Sequence, residues 1–79
     1  MTAKEMFKKL GYEYSLICNG IIHEIKYEHK DEHGKIVFKL NYKVFYADID
    51  DYSVLIDMPT FKAIHRQLEE LGWLEDGRL

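Results

Sequence analysis

The residues of this chain best suited to chemistry by type fall in four groups, and their spacing separates them. His29 and His33 stand four apart among Glu28, Asp31 and Glu32, all of them metal-ligand types. A structural zinc site needs a closed set of four ligands held by a second shell, which a polar loop between strands does not supply. The run therefore reads as a solvated loop. Asp48-Ile-Asp-Asp51 opens like a calcium-binding loop, but its sixth position is Ser53 instead of glycine and its twelfth is Pro59 instead of glutamate. These aspartates read as a break in a sheet and the approach to a helix. Cys18 and His23 flank Asn19-Gly20 as a nucleophile and a base would, on a face whose other residues are expected to form the core, where a buried thiol is inert. No Gly-rich phosphate loop, serine elbow or His-Glu-x-x-His helix occurs, so no catalytic residue, metal or cofactor is expected.

The fourth group is aromatic and basic. Six tyrosines and four phenylalanines lie among lysines, and aromatic platforms on a sheet can stack bases. Most of these rings alternate onto the expected core face, leaving Tyr42, Tyr46 and Tyr52 for stacking beside acidic residues. A second basic set, Lys62, His65 and Arg66, lies on one predicted helix, yet Glu69 and Glu70 share its surface. Nucleic-acid binding through Lys62, His65 and Arg66, or through Lys4, Lys8 and Lys9, is thus the rival reading.

Bulk properties narrow the classes further. A chain of 79 residues is one domain's worth, and at this size only roughly 60–65% of the unfolded surface is buried, so a deep substrate cavity would remove core that the fold can hardly lose. An enzyme with a small-molecule substrate is not expected. Hydrophobic residues at 47% and charged residues at 32% make a globular composition, and a net charge of −3 gives no global attraction for nucleic acid or an anionic membrane. Cys18 is the only cysteine, the first ten residues lack a signal-peptide pattern, and no window approaches a membrane span of about 20 apolar residues. A reducing, cytoplasmic setting is the expectation.

Several elements must position these residues. Thr2 with Glu5 makes a capping box that starts a helix, Met6, Phe7 and Leu10 give it one apolar face, and Gly11 ends it. From Tyr12 the period becomes two, as far as the hairpin signal Asn19-Gly20. A two-residue loop there sets Leu16 opposite His23, Tyr14 opposite Ile25 and Tyr12 opposite Tyr27. On the other face it sets Ile17 opposite Ile22 and Glu13 opposite Lys26. A third strand, Lys35 to Leu40, is expected to pair Ile36 with Tyr27, Phe38 with Ile25, Lys35 with Glu28 and Lys39 with Glu24. After a turn at Asn41-Tyr-Lys43, a fourth strand runs from Val44 to Ile49 with Phe45, Ala47 and Ile49 inward. Ser53 to Ile56 is a short fifth strand or an extended lead into a helix capped by Asp57. That helix carries Phe61, Ile64, Leu68 and Leu71 as its apolar stripe and stops at Gly72, with Trp73 folding back. Residues 75–79 read as a frayed tail.

The expectation is a single α+β domain over residues 1–79. It is an antiparallel meander of four to five strands, with an N-terminal and a C-terminal helix on one sheet face. The opposite face then carries Glu13, Glu24, Lys26 and Lys39 together with an apolar cluster of Ile17, Ile22, Val37, Val44 and Tyr46. Thr2-Ala-Lys-Glu-Met-Phe-Lys-Lys-Leu-Gly-Tyr12 and Phe61-Lys-Ala-Ile-His-Arg-Gln-Leu-Glu-Glu-Leu-Gly-Trp73 resemble the ends of small uncharacterised proteins encoded by phages and prophages of Gram-positive bacteria. The resemblance spans nearly the whole chain and is loose in the strands; Met58-Pro59-Thr60 departs from the more usual acidic first turn. It implies a phage accessory setting, a host or phage protein as partner, and no catalytic residues. The leading expectation is a non-enzymatic interaction module using Ile17, Ile22, Val37, Val44 and Tyr46, with self-association through that face as one version.

Overall fold

A computed structural model describes residues 1–31, 34–49 and 56–75. Helix α1 spans Ala3–Lys9, strands β1 to β4 span Tyr12–Asn19, Ile22–His29, Gly34–Lys39 and Val44–Ile49, and helix α2 spans Met58–Leu71, followed by a 3-10 turn at Trp73–Glu75. The strands form one antiparallel sheet in the order β1-β2-β3-β4. The fold is α+β, as expected, with four strands among the described residues. The expected fifth segment, apart from Ile56, lies outside the described residues, as do positions 76–79 of the expected tail.

The core is an aromatic chain between the helices and one sheet face. Phe7 of α1 stacks on Tyr27 at 3.9 Å and meets Tyr12 edge-on at 5.5 Å. Tyr27 in turn meets Phe38 edge-on at 6.2 Å, and Phe38 stacks with Phe45 at 5.5 Å and lies 6.4 Å from Trp73. Ile25, Ile36, Ala63 and Ile64 fill the space around these rings. Both helices pack on this face, each supplying buried residues to the same cluster.

The first hairpin differs from its expected register by two residues. Tyr14 pairs with Tyr27, Leu16 with Ile25, Cys18 with His23 and Tyr12 with His29. The loop is Gly20-Ile21, not Asn19-Gly20: Gly20 has φ +63° while Ile21 stays out of the left-handed region, the pattern of a type II′ turn with glycine first. This choice places Tyr27 between Tyr14 and Ile36 in the sheet, under Phe7, and continues the ladder to a bond from Lys30 N to the Gly11 carbonyl at 2.9 Å. It also sets Glu13 opposite Glu28 and Ile17 opposite Glu24, in place of the expected Glu13–Lys26 and Ile17–Ile22 pairs. Cross-strand surface pairs contribute only about 0.2–1 kcal/mol each, so core packing outweighs them. The β2–β3 register is the expected one, with Tyr27–Ile36, Ile25–Phe38, Glu28–Lys35 and Glu24–Lys39 opposite each other.

The helices are tied by polar contacts as well as apolar ones. The capping box of α1 is complete: Glu5 N donates to Thr2 Oγ1 at 3.1 Å and Thr2 N to Glu5 Oε1 at 2.8 Å. A further N-terminal amide of α1, Ala3 N, donates to Glu70 Oε2 of α2 at 2.9 Å. Asp57 caps α2 by accepting from Thr60 N at 2.9 Å, and a left-handed Gly72 ends the helix. The apolar stripe of α2 is rotated from its expected position. Its buried residues are Thr60, Ala63, Ile64 and Gln67, with Leu68 and Leu71 half-buried, whereas Phe61 is 50% exposed. The rotation turns Gln67 inward, where its Oε1 accepts from the buried Tyr27 hydroxyl at 2.5 Å. Burial, together with the nearby Tyr14 and Glu70, pushes the Tyr27 hydroxyl well above the ordinary tyrosine range.

Candidate interaction surface

The sheet face away from the helices is arranged in rows set by the register. One row reads Ile17, Glu24, Lys39, Val44, and the next reads Ser15, Lys26, Val37, Tyr46. Glu24 Oε2 and Lys39 Nζ lie 3.3 Å apart in the middle of the first row. The five apolar residues singled out in the sequence therefore do not form one cluster. Ile17 and Ile22 are diagonal neighbours on the first hairpin, Val44 and Tyr46 neighbour each other on β4, and an ion pair stands between the two groups.

Exposure sorts them further. Ile22 is 47% exposed, Val44 48% and Tyr46 40%, while Ile17 is half-buried. Val37, only 1% exposed, is floor and not contact surface, a correction to its expected role. It sits on a central strand with Lys26 opposite on β2 and Tyr46 opposite on β4, and long side chains of this kind cover a smaller neighbour with their stems and rings. Lys39 Nζ lies 5.8 Å from the Tyr46 ring, which adds to this lid.

The hairpin tips extend the surface with Ile21, which the sequence pattern does not single out, and with Tyr42, expected from the sequence only as a stacking platform for bases. Ile21 in the β1–β2 turn and Tyr42 in the β3–β4 turn are strongly exposed, and Asn41 Nδ2 donates to the Ile21 carbonyl, joining the two tips. Between them lies a shallow groove of about 180 Å³ lined by Ile21, Ile22, His23, Glu24, Lys39 and Tyr42, among others. The sequence leaves Ile21 ambiguous: a turn at Asn19-Gly20 makes it a strand residue, and only the observed Gly20-Ile21 turn sets it at the tip, with no access to the core.

The other candidates are placed as follows. Cys18 and His23 are Cα partners across β1 and β2, and Cys18 is exposed, so the expectation of a buried core thiol is corrected. The helices do not reach this end of their own face, which also leaves Leu16 55% exposed. His29 Nδ1 accepts from Asp31 N at 3.1 Å within its own turn, while Glu32 and His33 lie outside the described residues. Asp48 is in β4, and the rest of the aspartate run lies outside the described residues, as does Tyr52. Among the described residues, no group of three or more His, Cys, Asp or Glu is placed to hold a metal ion, and no helix is long and apolar enough to cross a membrane.

The basic candidates on α2 are engaged by acidic neighbours. Arg66 lies 3.3 Å from Glu69 and 3.3 Å from Glu70, and its Nε donates to the Met1 carbonyl at 3.2 Å. His65 lies 3.9 Å from Glu69. Arg66 and Glu70 thus fasten the N-terminal segment to α2, and Lys62 is left as an exposed lysine on the same helix. Lys4 of the other basic cluster sits 4.5 Å over the Tyr14 ring.

The fold and this surface together define a small α+β domain whose open sheet presents apolar pairs and linked hairpin tips to solvent. No family model matches the chain, and neither the curated proteins nor the solved structures contain a match.

Proposed function

We propose that the protein is a non-enzymatic interaction module that binds another protein through the outer sheet face and the joined hairpin tips. The observation that carries this reading is the exposure of Ile21, Ile22, Tyr42, Val44 and Tyr46 around the Glu24–Lys39 ion pair. Apolar side chains ringing a polar centre give a partner both buried area and a registering charge pair. The resemblance to phage and prophage proteins supplies the setting: a cytoplasmic accessory protein whose partner is a host or phage protein, or a second copy of itself.

The test is affinity capture from a Gram-positive bacterial lysate, with and without nuclease, using the wild-type chain and an Ile22→Lys/Val44→Lys variant. The reading expects a stoichiometric protein that survives nuclease and is lost from the folded variant. A partner retained equally by the variant removes the outer face from consideration. Capture that disappears with nuclease would move the function to nucleic-acid binding.

A further inference from the structure

The backbone of β1 presents a second surface, distinct from the outer face. The His23 carbonyl accepts from Leu40 N at 2.9 Å, so His23 turns its backbone groups toward β3 and away from β1. In an antiparallel ladder its Cα partner Cys18 must likewise turn its groups away from β2, and the alternation carries the same orientation to Leu16 and Tyr14. The bond from Lys30 N to the Gly11 carbonyl agrees, because it places the odd-numbered residues of this stretch on the β2 side. Among the described residues β2 is the only neighbour of β1, so Tyr14, Leu16 and Cys18 offer an unpaired row of amides and carbonyls at the sheet edge.

This edge lacks the devices that usually block strand addition. The pairing from Tyr12–His29 to Asn19–Ile22 is continuous and without a bulge. The strand holds no lysine, arginine or proline, and Glu13 is its only charge. Leu16, in the middle of the row, is 55% exposed. What covers such an edge is another strand, and the charge pattern suits a copy of itself. An antiparallel two-fold pairing centred on Leu16 overlaps residues 13–19 of both copies. It sets Leu16 against its own copy, Tyr14 against Cys18 and Ser15 against Ile17, and it places Glu13 against Asn19 instead of against another carboxylate. We infer that two chains associate through β1 in this register, joining their sheets into one continuous sheet in a closed two-fold dimer. The dimer goes beyond the outer-face reading and does not depend on it, since it uses the edge of the sheet and not its face.

Sedimentation equilibrium of the 79-residue chain tests the contact, with circular dichroism to verify folding. Leu16→Pro is the sharpest variant, because the Leu16 N–H points away from β2 and its removal costs no bond of the native ladder. Leu16→Lys, which brings two like charges together at the dyad, serves if the proline variant fails to fold. The wild type should be a dimer, and either folded variant should raise its dissociation constant by about tenfold or more. A Leu16→Cys/Cys18→Ser chain should oxidise to a covalent dimer, since Cα atoms about 5.5 Å apart in a hydrogen-bonded pair fall within disulfide range. A wild-type monomer throughout the accessible concentration range would overturn the inference, as would a folded Leu16 variant that stays dimeric. Loss of the dimer in Ile22→Lys/Val44→Lys alone would overturn it too, while leaving the outer-face reading in place.

Discussion

The buried hydrogen bond between Tyr27 and Gln67 shows how one residue fixes the orientation of a helix. A helix stripe read from hydrophobicity alone puts Phe61 inward and Gln67 outward, and the structure does the reverse because the Tyr27 hydroxyl, buried under Phe7, needs an acceptor. Tyr27→Phe should lower unfolding free energy in urea by about 1–2 kcal/mol, because it leaves the Gln67 side chain buried without its donor. Adding Gln67→Leu should return part of that loss, since removing both polar partners is far less costly than removing one. A loss equal to the sum of the two single variants would show that the groups are not coupled. Gly11 makes a second local demand. Its φ is +96°, and a Cβ there would stand 2.8 Å from His29 Nε2. Gly11→Ala should therefore cost more than about 1 kcal/mol in the same assay, with a changed environment for His29 in an NMR spectrum.

At the scale of elements, the caps and turns decide how much was legible in advance. Thr2, Glu5, Asp57 and Gly72 mark both helices correctly because capping chemistry is local and carries its own sequence pattern. The first hairpin is harder, since Asn-Gly favours a type I′ turn while the glycine alone also suits the first position of type II′. The deciding contacts, Tyr27 under Phe7 and Asn41 on Ile21, are distant in sequence. Charge matching gives no guidance here: Glu13 opposite Lys26 looks better than the observed Glu13 opposite Glu28, yet such exposed pairs are too weak to choose a register. The caps also give a pH prediction. Hydrogen bonds from Thr2 hold the Glu5 carboxyl below its ordinary range, and those from Thr60 do the same for Asp57. A depressed native pKa stabilises the fold above the unfolded carboxylate pKa, and that contribution is lost as pH falls through the lower native value. Carbon-detected NMR titration should find both carboxyls protonating at lower pH than their unfolded counterparts, with Thr2→Ala raising the Glu5 value. Thr2→Ala should also cost about 1 kcal/mol of stability.

For the whole molecule, the mismatch between helix and strand lengths determines which surfaces remain open. At 1.5 Å per residue the seven residues of α1 span about 10 Å and the fourteen of α2 about 21 Å, whereas the eight residues of β1 span about 26 Å. The helices cover the centre of the sheet and leave the β1–β2 tip bare on both faces. Period-two patterning assigns residues to faces, and a register shift of two preserves that assignment, so the faces were legible even where the pairs were not. Exposure within a face was not, because it depends on where the covering elements stop and on how long the neighbouring side chains are. Ile22 and Val37 differ for this reason, although both are apolar residues on the outer face. Ile22, at the open tip, should accept lysine with a change within about 0.5 kcal/mol. Val37 is enclosed by neighbours on both flanking strands, and lysine there must displace them or bury its charge, at a cost of more than about 1 kcal/mol. Chemical denaturation of the two single variants compares the sites directly. Equal, small effects would mean that the Lys26 and Tyr46 side chains do not cover Val37 in solution, and the floor of the outer face would then be available to a partner as well as its rim.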